Sequence, residues 1–356
     1  MYENNNHVRN FFDVNIFRKV INEEKVNSIS IDSLNNMNVY AYGRFLAVLD
    51  QNTLKLYNKG GSEEHSLDVQ ISNPIFESSG NYLCVAEKGG QNIYLISNKN
   101  IVWQKEIDGN ISAINVNKNG YVSITISGTS YKTVVQTIDT KGNDLFKTYL
   151  SSTNVIDTDI SNDNKYLAIA EVNFSGIVVQ SSIKTISIED AKKNSENSIK
   201  NTYLAKANDL IINIKYNNKN DLICMYDKHI DVLKDNKELL NFANDQVLFA
   251  DINFSSKIAE IVKTSNGFLD SSIQLKLINS NNIEDVKTYE IESTPKKIYV
   301  HDNVIAINLG TSILFINENG WLLKKYESNK EEIQNIVMCD EIAGIIFKDK
   351  INIISL

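Results

Sequence analysis

From residue 38 onward, apolar and polar positions alternate in short runs, and clusters of Asn, Asp, Gly and Ser separate the runs. Thr53-Leu54-Lys55-Leu56-Tyr57, Asn92-Ile93-Tyr94-Leu95-Ile96, Ile273-Gln274-Leu275-Lys276-Leu277 and Ser312-Ile313-Leu314-Phe315-Ile316 are typical. Period two puts successive side chains on opposite faces, so each run predicts a strand with one buried face. A tripeptide precedes each such strand: branched aliphatic, small, branched aliphatic. It occurs as Leu46-Ala47-Val48, Leu83-Cys84-Val85, Val122-Ser123-Ile124, Leu167-Ala168-Ile169, Ile223-Cys224-Met225 and Ile305-Ala306-Ile307. Ala343-Gly344-Ile345 is a looser copy and Ile258-Ala259-Glu260 a degenerate one.

The small positions lie 35 to 56 residues apart, the length of one four-stranded propeller blade. The pattern therefore predicts an all-β, eight-bladed β-propeller. Seven blades is the alternative, if the unit around Ile258 merges with a neighbour. Turns such as Asn117-Lys118-Asn119-Gly120, Asn162-Asp163-Asn164-Lys165 and Asn217-Asn218-Lys219-Asn220 supply residues that tolerate left-handed backbone between antiparallel strands. A small middle residue is expected where inner strands of adjacent blades converge, because a bulky one would overfill the layer. Cys84 and Cys224 then read as packing residues. Cys339 falls outside the column, near a turn, and reads as a partly exposed thiol.

The last unit has three strands, within 332–337, 341–347 and 350–356. The fourth is available as Val26-Asn27-Ser28-Ile29-Ser30-Ile31, which would close the ring and hide an edge. Residues 25–356 thus read as a single propeller domain and 1–24 as a separate segment. In that segment Phe12, Ile16 and Val20, with Phe17 and Ile21 beside them, form a helical stripe of about two to three turns. It is expected to be a short helix packed on the domain or a juxtamembrane stalk. A basic region followed by an apolar one, the mark of a signal peptide, is absent from it.

Charge narrows the function. With 44 acidic residues against 36 Lys and Arg, the net charge is -8 and the pI about 5.2. Nucleic-acid binding, which needs clustered positive charge, is excluded. Mean hydropathy is -0.25, and no apolar run approaches the roughly 18 residues of a spanning helix. Three cysteines make no disulfide framework or C-x-x-C pair.

No catalytic motif emerges. His7, His65, His229 and His301 fall in different units without H-E-x-x-H spacing, so a zinc site has no local support and each reads as a surface residue. There is no G-x-S-x-G elbow and no phosphate-binding glycine loop. Asp157-Thr158-Asp159-Ile160-Ser161-Asn162-Asp163 lacks the Gly and distant Glu of a calcium loop. It reads instead as an inner strand and its turn. Two polar insertions stand out, 189–201 and 264–272. The second contains Phe268 and Leu269, an apolar pair in a loop and the candidate partner-binding site.

The repeat resembles quinoprotein-type and WD40-type propellers over nearly the whole chain, without a Gly-His and Trp-Asp pair in each blade. Gly142 and Gly320, near Phe146 and Trp321, echo a glycine-to-tryptophan docking pattern. Quinoproteins resemble one another in adjacent cysteines and a calcium-binding acidic cluster. Neither stands in this sequence, so no cofactor is expected. The stretches Phe11-Phe12-Asp13-Val14 to Phe17-Arg18-Lys19, Asn38-Val39-Tyr40-Ala41-Tyr42 and Ser72-Asn73-Pro74-Ile75-Phe76 are similar to an uncharacterised clostridial family. Its members resemble one another in a cytoplasmic tail, one membrane helix and an extracytoplasmic propeller. The resemblance, with an Asn/Ile/Lys-heavy, Cys-poor composition, implies a Gram-positive, membrane-tethered protein whose anchor lies outside this chain; a cytoplasmic location is the alternative. The expected function is non-enzymatic: a monomeric propeller binding a protein, peptide or envelope polymer. The alternatives are a hydrolase or lyase with acidic residues gathered over the channel, or an extracytoplasmic sensor. Clustered, strongly perturbed acids over the channel would favour the enzyme.

Overall fold

The alternating runs become strands, and the tripeptide lies on the second strand of every blade. A computed structural model describes residues 12–17, 19–31, 37–128, 130–194, 198–233, 237–242, 246–265, 271–329, 331–339 and 341–356. The chain is an eight-bladed β-propeller built from antiparallel meanders. The innermost strands are Met37–Tyr42, Pro74–Ser79, Asn110–Val116, Asn154–Ile160, Ile211–Tyr216, Gln246–Asp251, Lys297–His301 and Asn335–Met338. They head blades one to eight in that order. The unit around Ile258 is a complete blade of its own, Gln246–Asp251, Lys257–Ser265, Ser271–Asn279 and Asn282–Ile291, which removes the seven-bladed alternative.

Two compact units make up the chain. The first comprises Met1–Val48, Tyr57–Glu64 and Asn244–Leu356. In it, Asn27–Ser30 pairs antiparallel with Lys350–Ser355, Ile29 opposite Ile351, and completes blade eight as the sequence predicts. Ile29, Val39, Leu46, Ile342 and Ile351 pack together behind that closure. The helical stripe is realised only as one π-helical turn, Phe12–Ile16. Val20–Asn22 is instead a strand, lying parallel to Leu322–Glu327 as a fifth strand of blade seven. The unpaired outer edge of that blade outcompetes a third helical turn, because it satisfies backbone groups a short helix would leave open. Cys339 is buried rather than partly exposed: its thiol donates to the Gly43 carbonyl at 2.9 Å.

The second unit, Leu49–Leu56 and His65–Ala243, holds blades two to five. Its apolar layers sit between neighbouring blades. Cys84, Leu95 and Trp103 of blade two meet Ile111, Ile124 and Ile126 of blade three, and Ala168 and Ile183 of blade four meet Ile214, Tyr216 and Cys224 of blade five. Each such aliphatic contributes roughly 1.5–3 kcal/mol by leaving water. In blades two to four the small residue also stands beside a longer polar one. Cys84 pairs with Glu77, Ser123 with Asn115 and Ala168 with Asp159 of the innermost strand. Cross-strand partners share a face, so a small residue leaves room for the longer polar side chain beside it.

The glycine-to-tryptophan echo is real in one place. Gly142, at φ +83°, precedes the outer strand of blade three, and a Cβ there would lie 2.9 Å from Trp103 Cγ on blade two. Gly320 faces Lys287 instead, and Trp321 is exposed. The polar insertion 189–201 is not all loop. Ile188–Lys193 is a helix whose first turn is capped by the Ser187 hydroxyl, and Ile199–Leu204 is the outer strand of blade four.

Candidate functional site

In a meander, successive turns alternate between two ends, so each blade of the second unit shows a different set of turns at each. At one end lie the turns joining first to second and third to fourth strands. Asn117 there accepts the N–H groups of Asn119 and Tyr121 through Oδ1, at 3.0 and 3.1 Å. Its Nδ2 donates to the Ser161 carbonyl at 3.1 Å and to Asn164 Oδ1 at 2.6 Å. Asn119 Nδ2 reaches the Asn162 carbonyl at 2.8 Å. Asn162 then donates its N–H to Asn220 Oδ1 at 2.7 Å and its amide to the Asn217 carbonyl at 2.9 Å. Asn is abundant in these turns because its short amide both satisfies its own turn and bridges to the next blade.

At the opposite end stand the turns between second and third strands and the crossings to the next blade. Apolar side chains project from them. Tyr131 and Tyr149 of blade three pack ring to ring at 4.7 Å and are both exposed. In blade four the 173–180 hairpin exposes Phe174, Ile177 and Val178. Leu204 and Leu210, on the crossing into blade five, are also open to solvent. The innermost strands add to this. Pairing shifts by one residue between Ile111 and Ala113, Val155 and Asp157, and Ile211 and Asn213. The extra residues are Ser112, Ile156 and Ile212, and both isoleucines are exposed. A bulge turns its unpaired side chain out of the ladder. Consecutive apolars, Val155-Ile156 and Ile211-Ile212, break the alternation at those points and are the sequence signal of the bulge.

Nearer the Asn end, the innermost strands bring together acids that lie far apart in sequence. Asp157 Oδ2 accepts the Ile214 N–H at 3.0 Å and Asp159 Oδ2 the Tyr216 N–H at 2.6 Å. Residues two apart on one strand thus cap N–H groups two apart on the next, where blade five shows its unpaired inner edge. Lys215 Nζ stands 3.6 Å from Asp159 Oδ1. Burial raises Asp159, while Lys215 and the Tyr216 N–H oppose the rise. Burial also raises Asp157, to about 6, with the Ile214 N–H pulling the other way. Glu77 is raised to about 7, chiefly by burial, with Lys215 opposing and Asp157 and Asp159 reinforcing. Glu77 is exposed to solvent on the innermost strand of blade two, with protein close around it. Among the described residues its carboxyl has no hydrogen-bond partner.

The predicted loop residues Phe268 and Leu269 lie outside the described residues. His229 is buried, not a surface residue: Nε2 lies 3.3 Å from Asp231 and Nδ1 3.8 Å from Asp209, and the ring stacks on Tyr226. His65 is exposed. Among the described residues no group of three or more His, Cys, Asp or Glu could hold a metal ion, and no helix is long and apolar enough to cross a membrane.

Residues 17–356 match the model of a family described only as a family of unknown function, DUF5711. No curated protein matches the sequence. Sqt1 of Chaetomium thermophilum, solved bound to the N-terminus of the ribosomal protein L10, superposes with a TM-score of 0.55 at 9% identity, over 93% of this chain and 100% of that one. BamB of Moraxella catarrhalis gives 0.52 at 8% identity, over 93% and 99%. At such identities the likeness is one of fold.

Proposed function

We propose that this chain, which belongs to the DUF5711 family, is a non-enzymatic binding propeller that takes a protein, peptide or envelope-polymer partner on the apolar end of blades three to five. The observation that carries the reading is the contrast between the two ends of the second unit. One end spends its polar side chains on joining blades, and the other leaves Tyr131, Tyr149, Ile156 and Ile212 facing water. Exposed apolar groups clustered on loops of a rigid scaffold are the usual form of an interaction surface. A propeller holding a segment of another protein has an instance in Sqt1 with the N-terminus of L10. Extracytoplasmic placement, with a tether outside this chain, belongs to the same proposal. Its check is protease accessibility of the propeller on intact cells.

The acids of the innermost strands favour the competing reading, a hydrolase or lyase. Two carboxyls with separated proton affinities are what general acid and base work requires. Here, though, Asp157 and Asp159 are committed to the N–H groups of blade five, which leaves Glu77 without a free carboxylate partner. The test pairs two measurements. Photo-cross-linkers at Tyr149 and Ile212 are expected to give protein or polymer adducts in the producing cells, while the same groups at Asn119 and Lys219 give none. Turnover of glycan or ester substrates that is lost in Glu77→Gln would overturn the binding reading.

A further inference from the structure

Within that binding reading, on which this rests, we infer that the partner is a protein with an uncharged apolar groove and that the 173–180 hairpin of blade four is the element it clasps. Ile177 is 106% exposed, with Phe174 and Val178 also open, so the tip is a convex knob. A knob finds its complement in a concavity, where an apolar side chain is desolvated on all sides. The knob stands on a fixed base. Asn173 Oδ1 accepts the Ser175 N–H at 2.8 Å, the Asn208 N–H donates to the Val179 carbonyl at 3.3 Å, and Gln180 Nε2 donates to the Ala205 carbonyl at 2.9 Å. A hairpin held this way loses little further freedom on binding.

Charge separates a protein groove from the other apolar occupant, a bilayer. Residues 173–180 contain no Asp, Glu, Lys or Arg. Of the neighbouring lysines at this end, Lys206 pairs with Glu238 at 3.1 Å and Lys228 stands between Asp209 and Asp227 at 3.6 and 3.7 Å, while Lys132 donates to the Ser152 carbonyl at 3.4 Å, a single cation and not a cluster. Anionic membranes recruit through clusters of Lys and Arg left free to face the headgroups, and a chain of net charge -8 is repelled by them. The corresponding turns of blades two and five, around Glu87-Lys88-Gly89-Gly90 and Asp227-Lys228, are short and charged. The apolar tip is therefore a property of blade four and not of the repeat.

The experiment places p-benzoylphenylalanine at Ile177 in the full chain, with Lys219 at the opposite end as control, and irradiates the producing cells. The expected result is a protein adduct at 177 and none at 219. That protein, once purified, binds the wild-type chain and loses at least about tenfold in affinity, roughly 1.4 kcal/mol, against Ile177→Asp. Ile177→Asp is to melt with the wild type, since its site touches nothing buried. Adducts at Tyr149 and Ile212 but not at 177 overturn the hairpin as the clasped element and leave the binding face standing. Adducts at none of the three overturn both. Co-sedimentation with vesicles of phosphatidylglycerol or phosphatidylcholine that is lost in Ile177→Asp, or a dimer in sedimentation that Ile177→Asp dissolves, overturns the protein partner in favour of a membrane or a second copy.

Discussion

The two ends of blades two to five share one topology and nearly opposite chemistry. At the Asn end, the side chains of Asn117 and Asn162 bond to the next blade, Asn162 to the Asn217 carbonyl, while Asn217 Oδ1 accepts the Asp221 N–H of its own turn, so these polar groups are consumed in assembly. At the other end the turns also bond to the next blade, as Gly89 and Gly90 do to Ile111, but side chains such as Tyr149, Ile177 and Ile212 remain exposed. The lesson is one of division: at the Asn end, side chains on the turns join one blade to the next, whereas at the other end the cross-links, such as Ser181 Oγ accepting the Ile211 N–H at 3.1 Å, are buried and leave the apolar groups beside them exposed.

That contrast can be broken most severely at Asn117. It is buried and serves four partners. Asn117→Ala leaves buried N–H and carbonyl groups unpaired and is expected to cost about 2–4 kcal/mol, read as a lower denaturant midpoint with an unchanged slope. A loss under about 0.5 kcal/mol would mean that the network is incidental.

Gly142→Ala comes next. It forces a Cβ to within 2.9 Å of Trp103 Cγ at a positive φ, with an expected loss of about 1–3 kcal/mol. Loss of the near-ultraviolet signal of Trp103 should accompany it.

Glu77 tests the innermost strands between the two ends. Its proton affinity rises from the ordinary 4.5 to about 7 on folding, so between those values the folded chain binds the proton more tightly than the unfolded one. Stability from this group therefore falls as pH rises through that window, and the cost is fully present above pH 7. Solvent screens the effect. Glu77→Gln is accordingly expected to stabilise by on the order of 1 kcal/mol at pH 8 and by nothing at pH 4. Thermal melts at the two pH values decide it, and equal shifts at both would refute the assignment.

The smallest effect is expected at the apolar end. Phe174→Ser with Ile177→Ser should leave stability within about 0.5 kcal/mol of the wild type, because Ile177 is fully exposed and Phe174 about half-exposed. A larger loss would show that the hairpin is structural and erase the distinction between the ends.

Much of this was legible in the chain. Eight tripeptides and the closing strand Asn27–Ser30 could be read because they recur in register with a period of one blade. The helical stripe at Phe12, Ile16 and Val20 misled beyond its first turn, since an open edge on blade seven captured Val20–Asn22. His229 and Cys339 read as exposed or partly exposed because their covers, Asp209 and Gly43, come from other elements. The bulges at Ile156 and Ile212 left a faint mark, two apolars in succession, where strict alternation was expected.

By itself, then, the sequence determined the all-β class, the propeller repeat and the closing strand, for strand period and repeat length are local properties of the chain, while the count of eight over seven was decided by the separate blade around Ile258. Only the tertiary structure decided what stands beside what. It set Asp157 and Asp159 against the open edge of blade five, put Glu77 in their field, and gathered lone apolar residues from blades three, four and five at one end. The reason is physical: proton affinity and exposure depend on atoms contributed by neighbouring blades, and no spacing within one blade records them.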